Sequence, residues 1–290
     1  MNERVKVMKI IDAHLHFSDR EGFKKTAKEV AEVPYTAEGL RNEYKSVNVV
    51  AGIVMTSPGQ EGSMTSSGNS RELMLEDGTL DNLFACVGIN PVDLSKDSKT
   101  ELYLIEEKLN LPHVTGIKLY PGYFPTYVTD PVYNPVYKLA KKYDVPVAIH
   151  SGDTSSSRGQ LKYSHPLTID ELAVKYQEIN FVICHMGDPW VLETAELVSK
   201  NRNVYADLSG FIAGNAKIVQ KRIQTPLYLD HFRQAFIYSD RYDKFMFGTD
   251  WPIAPVAPYV DFIKAIIPEE HHQDVFYSNA KKLYPKLRSL

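Results

Sequence analysis

Eight short apolar runs recur along this chain and constrain its fold more than any other feature. They are KIIDAHLHF (9–17), VNVVAGIVM (47–55), LFACVGIN (83–90), VTGIKLY (114–120), VPVAIHSG (145–152), INFVICHMG (179–187), NVYADLSG (203–210) and KFMFGTDW (244–251). Most are rich in Val, Ile and Phe without strict polar alternation, which suits strands buried on both faces, as in a parallel sheet. Their starts are mostly thirty to forty residues apart, the length a strand, a helix and two loops require. Helical spacing fills the gaps. Residues 36–46 carry a capping Thr36 with Glu38 in the first turn, and 100–110 place Leu102, Ile105 and Leu109 on one face. Segments 131–143, 168–178 and 191–200 behave similarly. Eight βα units in 290 residues predict a (β/α)8 TIM barrel, a single domain over residues 1–290. An open doubly wound sheet is the alternative, but no Gly-rich phosphate loop follows the first strand.

The chain is 43% hydrophobic and 24% charged, enough for one large core. Net charge is −3, without a basic patch or long charge run, so nucleic acid is not an expected partner. No window has the apolar length of a membrane helix, and the N-terminal MNERVKVMK lacks the apolar region of a secretory signal. Cys86 and Cys184, the two cysteines, each lie inside an apolar run and read as reduced core residues of a cytoplasmic protein.

The chemistry sits late in the runs. His14 and His16 are spaced by one residue, so on a strand they point the same way and can reach one cation; Asp12 is expected on that face, deeper in the strand. The fourth run contributes Lys118 and Tyr120, the fifth His150, the sixth His185, the seventh Asp207 and Ser209, the eighth Asp250. A lone His there would be an ordinary core residue. Four histidines and an Asp from different strands must converge if the barrel forms, and that is a metal site. Imidazole and carboxylate ligands suit zinc, with iron, manganese, cobalt or nickel as alternatives. A bound divalent ion lowers the pKa of its water toward neutrality and makes hydroxide available. Two long loops, 57–70 and 151–166, follow strand ends on the side where a barrel keeps its active site.

IDAHLHF, AIHSGD, ICHMGD and FGTDWP together resemble the amidohydrolase superfamily. GIKLYPGY and the closing YSNAKKLYP are similar to its amidohydrolase-related branch of metal-dependent TIM-barrel hydrolases, which also contains the aminocarboxymuconate-semialdehyde and related aromatic-acid decarboxylases. The resemblance spans nearly the whole chain. It implies His14, His16 and His150 as metal ligands and Asp250 as ligand, proton shuttle or both. It implies that His185 stands beside the metal and stabilises the developing oxyanion, or binds a second ion in binuclear members. A second ion would require a carbamylated Lys118. The preferred expectation is a mononuclear site with Lys118 facing substrate or supporting the residues around the metal. The branch often forms homodimers, and segment 228–238 is apolar enough to lie at an interface or, equally, to be an ordinary barrel helix.

Around this centre, Tyr120 and Tyr123 are expected to line the pocket, and Arg158 to clamp an anionic substrate. Asp207 is expected to orient a metal-binding His, and Trp251 to pack away from the barrel axis. His113 and His165 receive no role, and His231, His271 and His272 are expected to face solvent. The expected activity is hydrolysis of a small amide, ester or lactone by metal-bound hydroxide, with Asp250 moving the proton. A non-oxidative decarboxylase of a small aromatic carboxylic acid is the first rival, and a non-catalytic binding barrel the second.

Overall fold

In the computed structural model, which describes residues 8–18, 20–57 and 82–290, every apolar run becomes a strand. These are β1 (Ile10–Leu15), β2 (Val49–Met55), β3 (Leu83–Gly88), β4 (Val114–Leu119), β5 (Val147–Ile149), β6 (Phe181–Ile183), β7 (Val204–Asp207) and β8 (Phe245–Met246). They pair in parallel, in chain order from β1 to β8. The ends of the sheet then meet: Ala13 N–H donates to Phe247 O at 2.9 Å and His16 N–H to Trp251 O at 2.7 Å. The expected (β/α)8 barrel is therefore the observed fold.

The sequence runs lack polar alternation because both faces of each strand are covered. Ile11, Ala13, Ile53, Cys86, Ala148, Val182, Cys184 and Met246 fill the barrel interior, joined by Leu283, Tyr284 and Leu287 of the C-terminal segment. Ile10, Leu15, Val54, Ile117, Val147, Ile183, Ala206 and Phe245 pack outward against the helices. Strands are shorter than their runs, because the chain leaves the ladder before the polar residues begin. Both cysteines are buried and unpaired.

Strand β1 departs from simple alternation. Asp12 pairs with Gly52 and Leu15 with Val54, so three steps on β1 oppose two on β2. That is a bulge, which re-aims side chains. Ile11 and Ala13 face inward, yet Leu15 faces out. The expectation that Asp12 shares the face of His14 and His16 is therefore corrected. Its carboxylate instead accepts from Tyr44 Oη at 3.0 Å, Thr249 Oγ1 at 2.7 Å, Thr249 N at 2.9 Å and His14 N at 3.2 Å. Asp12 stitches the β1–β8 seam to the helix Ala37–Val47. Gly248 completes that seam, since a Cβ there would stand 2.9 Å from His14 Cβ.

Helix boundaries follow their caps. Thr36 caps the helix Ala37–Val47 by accepting from Gly39 N at 3.0 Å. The next predicted helix starts earlier, at Ser98, because Asp97 takes the cap position and accepts from Thr100 N at 3.1 Å. The 131–143 segment opens as a 3-10 turn and continues as Asn134–Lys142. The 168–178 segment ends at Lys175, and Val191–Lys200 is as predicted. Segment 228–238 lies in the helix Pro226–Ser239, which buries Leu229, Phe232, Ala235 and Phe236. Loop 151–166 is tied back on itself: Gly152 N donates to Ser164 O at 2.9 Å and Ser164 Oγ to Gly152 O at 2.7 Å. Loop 57–70 lies, beyond Ser57, outside the described residues. Among the described residues no helix is long and apolar enough to cross a membrane.

Candidate metal centre

Two turns in the left-handed backbone region shape the site. Asp250 has φ 56° and His185 φ 57°. A non-glycine residue there costs on the order of 1–3 kcal/mol and persists only where surrounding bonds hold it. Asp250 N–H donates to His14 O at 2.7 Å, and His185 N–H to Asp207 Oδ1 at 2.9 Å. Each turn swings its side chain back over the strand ends. His14, His16 and Asp250 thereby present ligand atoms within 4.8 Å of one another, and His14, His185 and Asp207 do the same. His14 links the two groups. His150 joins as a neighbouring ring, its centroid 5.1 Å from that of His185.

The bonds on the far side of each ring fix which nitrogen keeps a lone pair. His16 Nδ1 lies 2.9 Å from Met55 O, which can only accept, so Nδ1 carries the proton. His14 Nδ1 lies 2.9 Å from Asp207 Oδ2 and donates likewise. Both rings, when neutral, turn an Nε2 lone pair toward Asp250 Oδ1, at 3.5 Å from His14 and 3.2 Å from His16. His14 Nε2 and Asp250 Oδ1 are buried without a hydrogen-bond partner among the described residues. Lone pairs facing a carboxylate oxygen in a buried space repel unless a cation lies between them. The donor set, two imidazoles and a carboxylate, is one that zinc and its neighbours accept. The residues therefore fit a divalent ion. His150 Nε2 donates to Asp153 O at 3.0 Å, leaving Nδ1 with its lone pair.

Electrostatics agree. Burial, opposed by the Asp207 carboxylate, lowers the pKa of His14 to about 3, so the ring is neutral. Burial also lowers His150 and His185. Burial alone would raise Asp250; donation and positive charge from the surrounding imidazoles when protonated, His16 first, draw its carboxyl below the usual range. Asp207 is likewise pushed up by burial and held down, more strongly, by His14, His185 and Lys118.

Asp207 is fully buried and works with both oxygens, as the orienting role expected of it requires. Oδ2 takes His14 Nδ1; Oδ1 takes His185 N, Ser209 N at 3.2 Å and Ser209 Oγ at 2.5 Å. Beneath it Lys118 is also fully buried. Its Nζ donates to Cys184 Sγ at 2.7 Å and stands 5.3 Å over the Tyr120 ring. Among the described residues it makes no ion pair with Asp250.

The other expected residues are scattered around the mouth. Tyr120 Oη donates to Thr56 O at 3.0 Å. Burial pushes its phenol well above the ordinary range, while the nearby Arg20 guanidinium pulls it down. Tyr123 stands over His150, ring centroids 4.8 Å apart, pinned by Ser155. Arg158 is exposed in its loop, its backbone N–H bonded to Ser156 Oγ. Trp251 is buried between Phe17 and Tyr35. Three histidines expected in solvent are half-buried instead: His231 pairs with Asp188 at 2.9 Å, His271 stacks on Tyr242, and His272 meets Ile267 O. Arg20 and Phe23 escaped the sequence reading. Phe23 stacks on His16 with centroids 4.9 Å apart, and the signal was their place directly after the HLH strand.

A closed parallel barrel with imidazoles and carboxylates gathered at its strand C-termini defines a class, the TIM-barrel enzymes, with a candidate metal-binding group where that class keeps its active site. The Amidohydrolase family profile matches residues 11–286, and the chain belongs to that family. Similar solved structures include an uncharacterized TIM-barrel protein of Bordetella bronchiseptica, 19% identical, covering 97% of this chain and 100% of that one, with TM-score 0.72. A structure described as a probable 2-pyrone-4,6-dicarboxylic acid hydrolase of Acinetobacter baumannii is 18% identical over 95% of this chain and 99% of that one, TM-score 0.62. The 5-carboxyvanillate decarboxylase of Sphingomonas paucimobilis is 15% identical over 96% and 99%, TM-score 0.63. A comparison with curated proteins finds no match.

Proposed function

We propose that this chain is a cytoplasmic metal-dependent hydrolase of a small organic amide, ester or lactone. The observation that carries the reading is the buried, partnerless approach of His14 Nε2 to Asp250 Oδ1, with His16 Nε2 alongside. His14, His16 and Asp250, with His150 beside them, would hold the ion, zinc being the first expectation. A divalent ion supplies a Lewis acid there and lowers the pKa of water.

The chain's own residues do the rest. Asp250 is ionised at neutral pH and its side chain is 14% exposed, so it is open to the site. It takes a proton from water and returns it to the leaving group. Lys118 and Tyr120 form the polar floor under the substrate. Arg158 lies on the loop above, as a clamp for an anionic group. Phe23 and Tyr123, packed on His16 and His150, wall the mouth and exclude water.

Decarboxylation of a small aromatic acid is the second reading, favoured by Arg20, whose charge reaches Tyr120 at the site. A 5-carboxyvanillate decarboxylase also shares the fold. The test is metal content by plasma mass spectrometry on protein purified without chelators, followed by a panel of lactones, esters, amides and aromatic acids. About one equivalent of a transition metal, lost in His14→Ala, supports the reading. Failure to take up zinc or manganese overturns it. Carbon dioxide release without hydrolysis selects the second reading.

A further inference from the structure

The structure assigns Ser209 as a positioning residue that sets the tautomer of His185. This inference takes its purpose from the metal-centre reading, but its geometry stands independently. His185 Nδ1 lies 2.9 Å from Ser209 Oγ and 3.3 Å from Ser209 O. A backbone carbonyl only accepts. The Ser209 hydroxyl has one proton, and at 2.5 Å it goes to Asp207 Oδ1, the oxygen of a charged carboxylate. Its remaining lone pair therefore accepts. Both neighbours of His185 Nδ1 are acceptors, so Nδ1 carries the ring proton and Nε2 carries none.

A second observation holds the ring there. Gly210 has φ 75°, and a Cβ at that position would lie 2.6 Å from His185 Nδ1. Only glycine lets the chain turn away from Ser209 without striking the imidazole. Ser209 Oγ thus connects His185 to the same carboxylate whose other oxygen orients His14. One buried Asp, at the end of β7, sets two histidines on two other segments. The consequence reaches function. A neutral His185 offers Nε2 as an acceptor toward a proton or an ion, and does not donate to a developing oxyanion as the resemblance implied.

The test is nitrogen NMR of metal-free protein labelled at histidine, with His185→Gln to assign the resonances. The expected result is a pyrrole-like Nδ1 and a pyridine-like Nε2 for His185 at neutral pH. A protonated Nε2 in the unmodified chain overturns the proposal, whether or not metal binds. Ser209→Ala is expected to reduce the Nδ1–H tautomer relative to the other by roughly fivefold, the scale of one lost hydrogen bond. Ser209→Thr, which keeps the hydroxyl, is expected to restore it. An unchanged tautomer ratio in Ser209→Ala assigns the control to the backbone carbonyl and refutes the role of the side chain. A protein that takes up no metal yet shows the expected tautomer sinks the functional reading and leaves this one standing.

Discussion

Asp207→Asn separates the orientation of His14 from its mere presence. Asp207 Oδ1 receives three donors, His185 N, Ser209 N and Ser209 Oγ, whereas Oδ2 receives only His14 Nδ1. An asparagine therefore seats its carbonyl at the three-donor position and turns its amide toward His14. His14 Nδ1 must then accept, and its proton moves to Nε2, the atom aimed at Asp250 Oδ1 3.5 Å away. The lone pair available to a metal is lost. Disturbing such an orienting partner typically costs 10- to 100-fold in metal affinity, about 1.4–2.7 kcal/mol. The fold loses less, because most of the bonds persist: about 1–2 kcal/mol. The carboxyl of Asp207 is held below its ordinary value, so its stabilisation is present above the unfolded carboxylate pKa and disappears as pH falls through the folded one. The variant should lack that acid-side loss. Chelator competition with zinc measures the affinity, and urea unfolding at several pH values measures the rest. Wild-type zinc affinity in Asp207→Asn, alongside loss in His14→Ala, would refute the reasoning.

Other consequences test the scaffold around the site. Burial pushes Asp12 up to about 7. A raised carboxyl stabilises the fold fully below its unfolded pKa and loses that contribution as pH climbs through 7, up to about 4 kcal/mol for a shift of this size. Asp12→Asn should thus gain stability relative to the parent between about pH 4 and 7 and level off above, and a pH-independent difference in urea midpoints would count against it. Tyr44→Phe removes one bond to Asp12 and should cost about 1–3 kcal/mol in unfolding without changing metal stoichiometry; metal loss would show that the seam reaches the site. Gly248→Ala places a methyl 2.9 Å from His14 Cβ and 3.1 Å from Ser209 Cβ. It should cost about 1–3 kcal/mol and lower metal content, and a normally loaded, stable variant would contradict the close packing.

Much of the architecture was legible because it is local. β-branched runs, a capping Thr36 and the rhythm of the units state the barrel without knowledge of any contact. The convergence of His14, His16 and Asp250 was legible as well, since a closed barrel brings strand C-termini together. Asp12 was misplaced for a different reason. A bulge depends on pairing with β2 and on the pull of Thr249, which lies 237 residues away in the chain. Arg20 and Phe23 were not legible at all, because only the fold brings the Arg20 charge near Tyr120 and the Phe23 ring onto His16.

The sequence by itself determined that this chain folds as a parallel barrel and that histidines and an aspartate crown one end of it. Hydrophobic period and strand spacing are properties of neighbouring residues, and so are readable along the chain. Only the tertiary structure decided which nitrogen of each ring faces the site. That depends on what sits behind the ring: Met55 O for His16, Asp153 O for His150, Ser209 for His185 and Asp207, 193 residues distant, for His14. A proton goes to the nearest acceptor, and only folding brings that acceptor near.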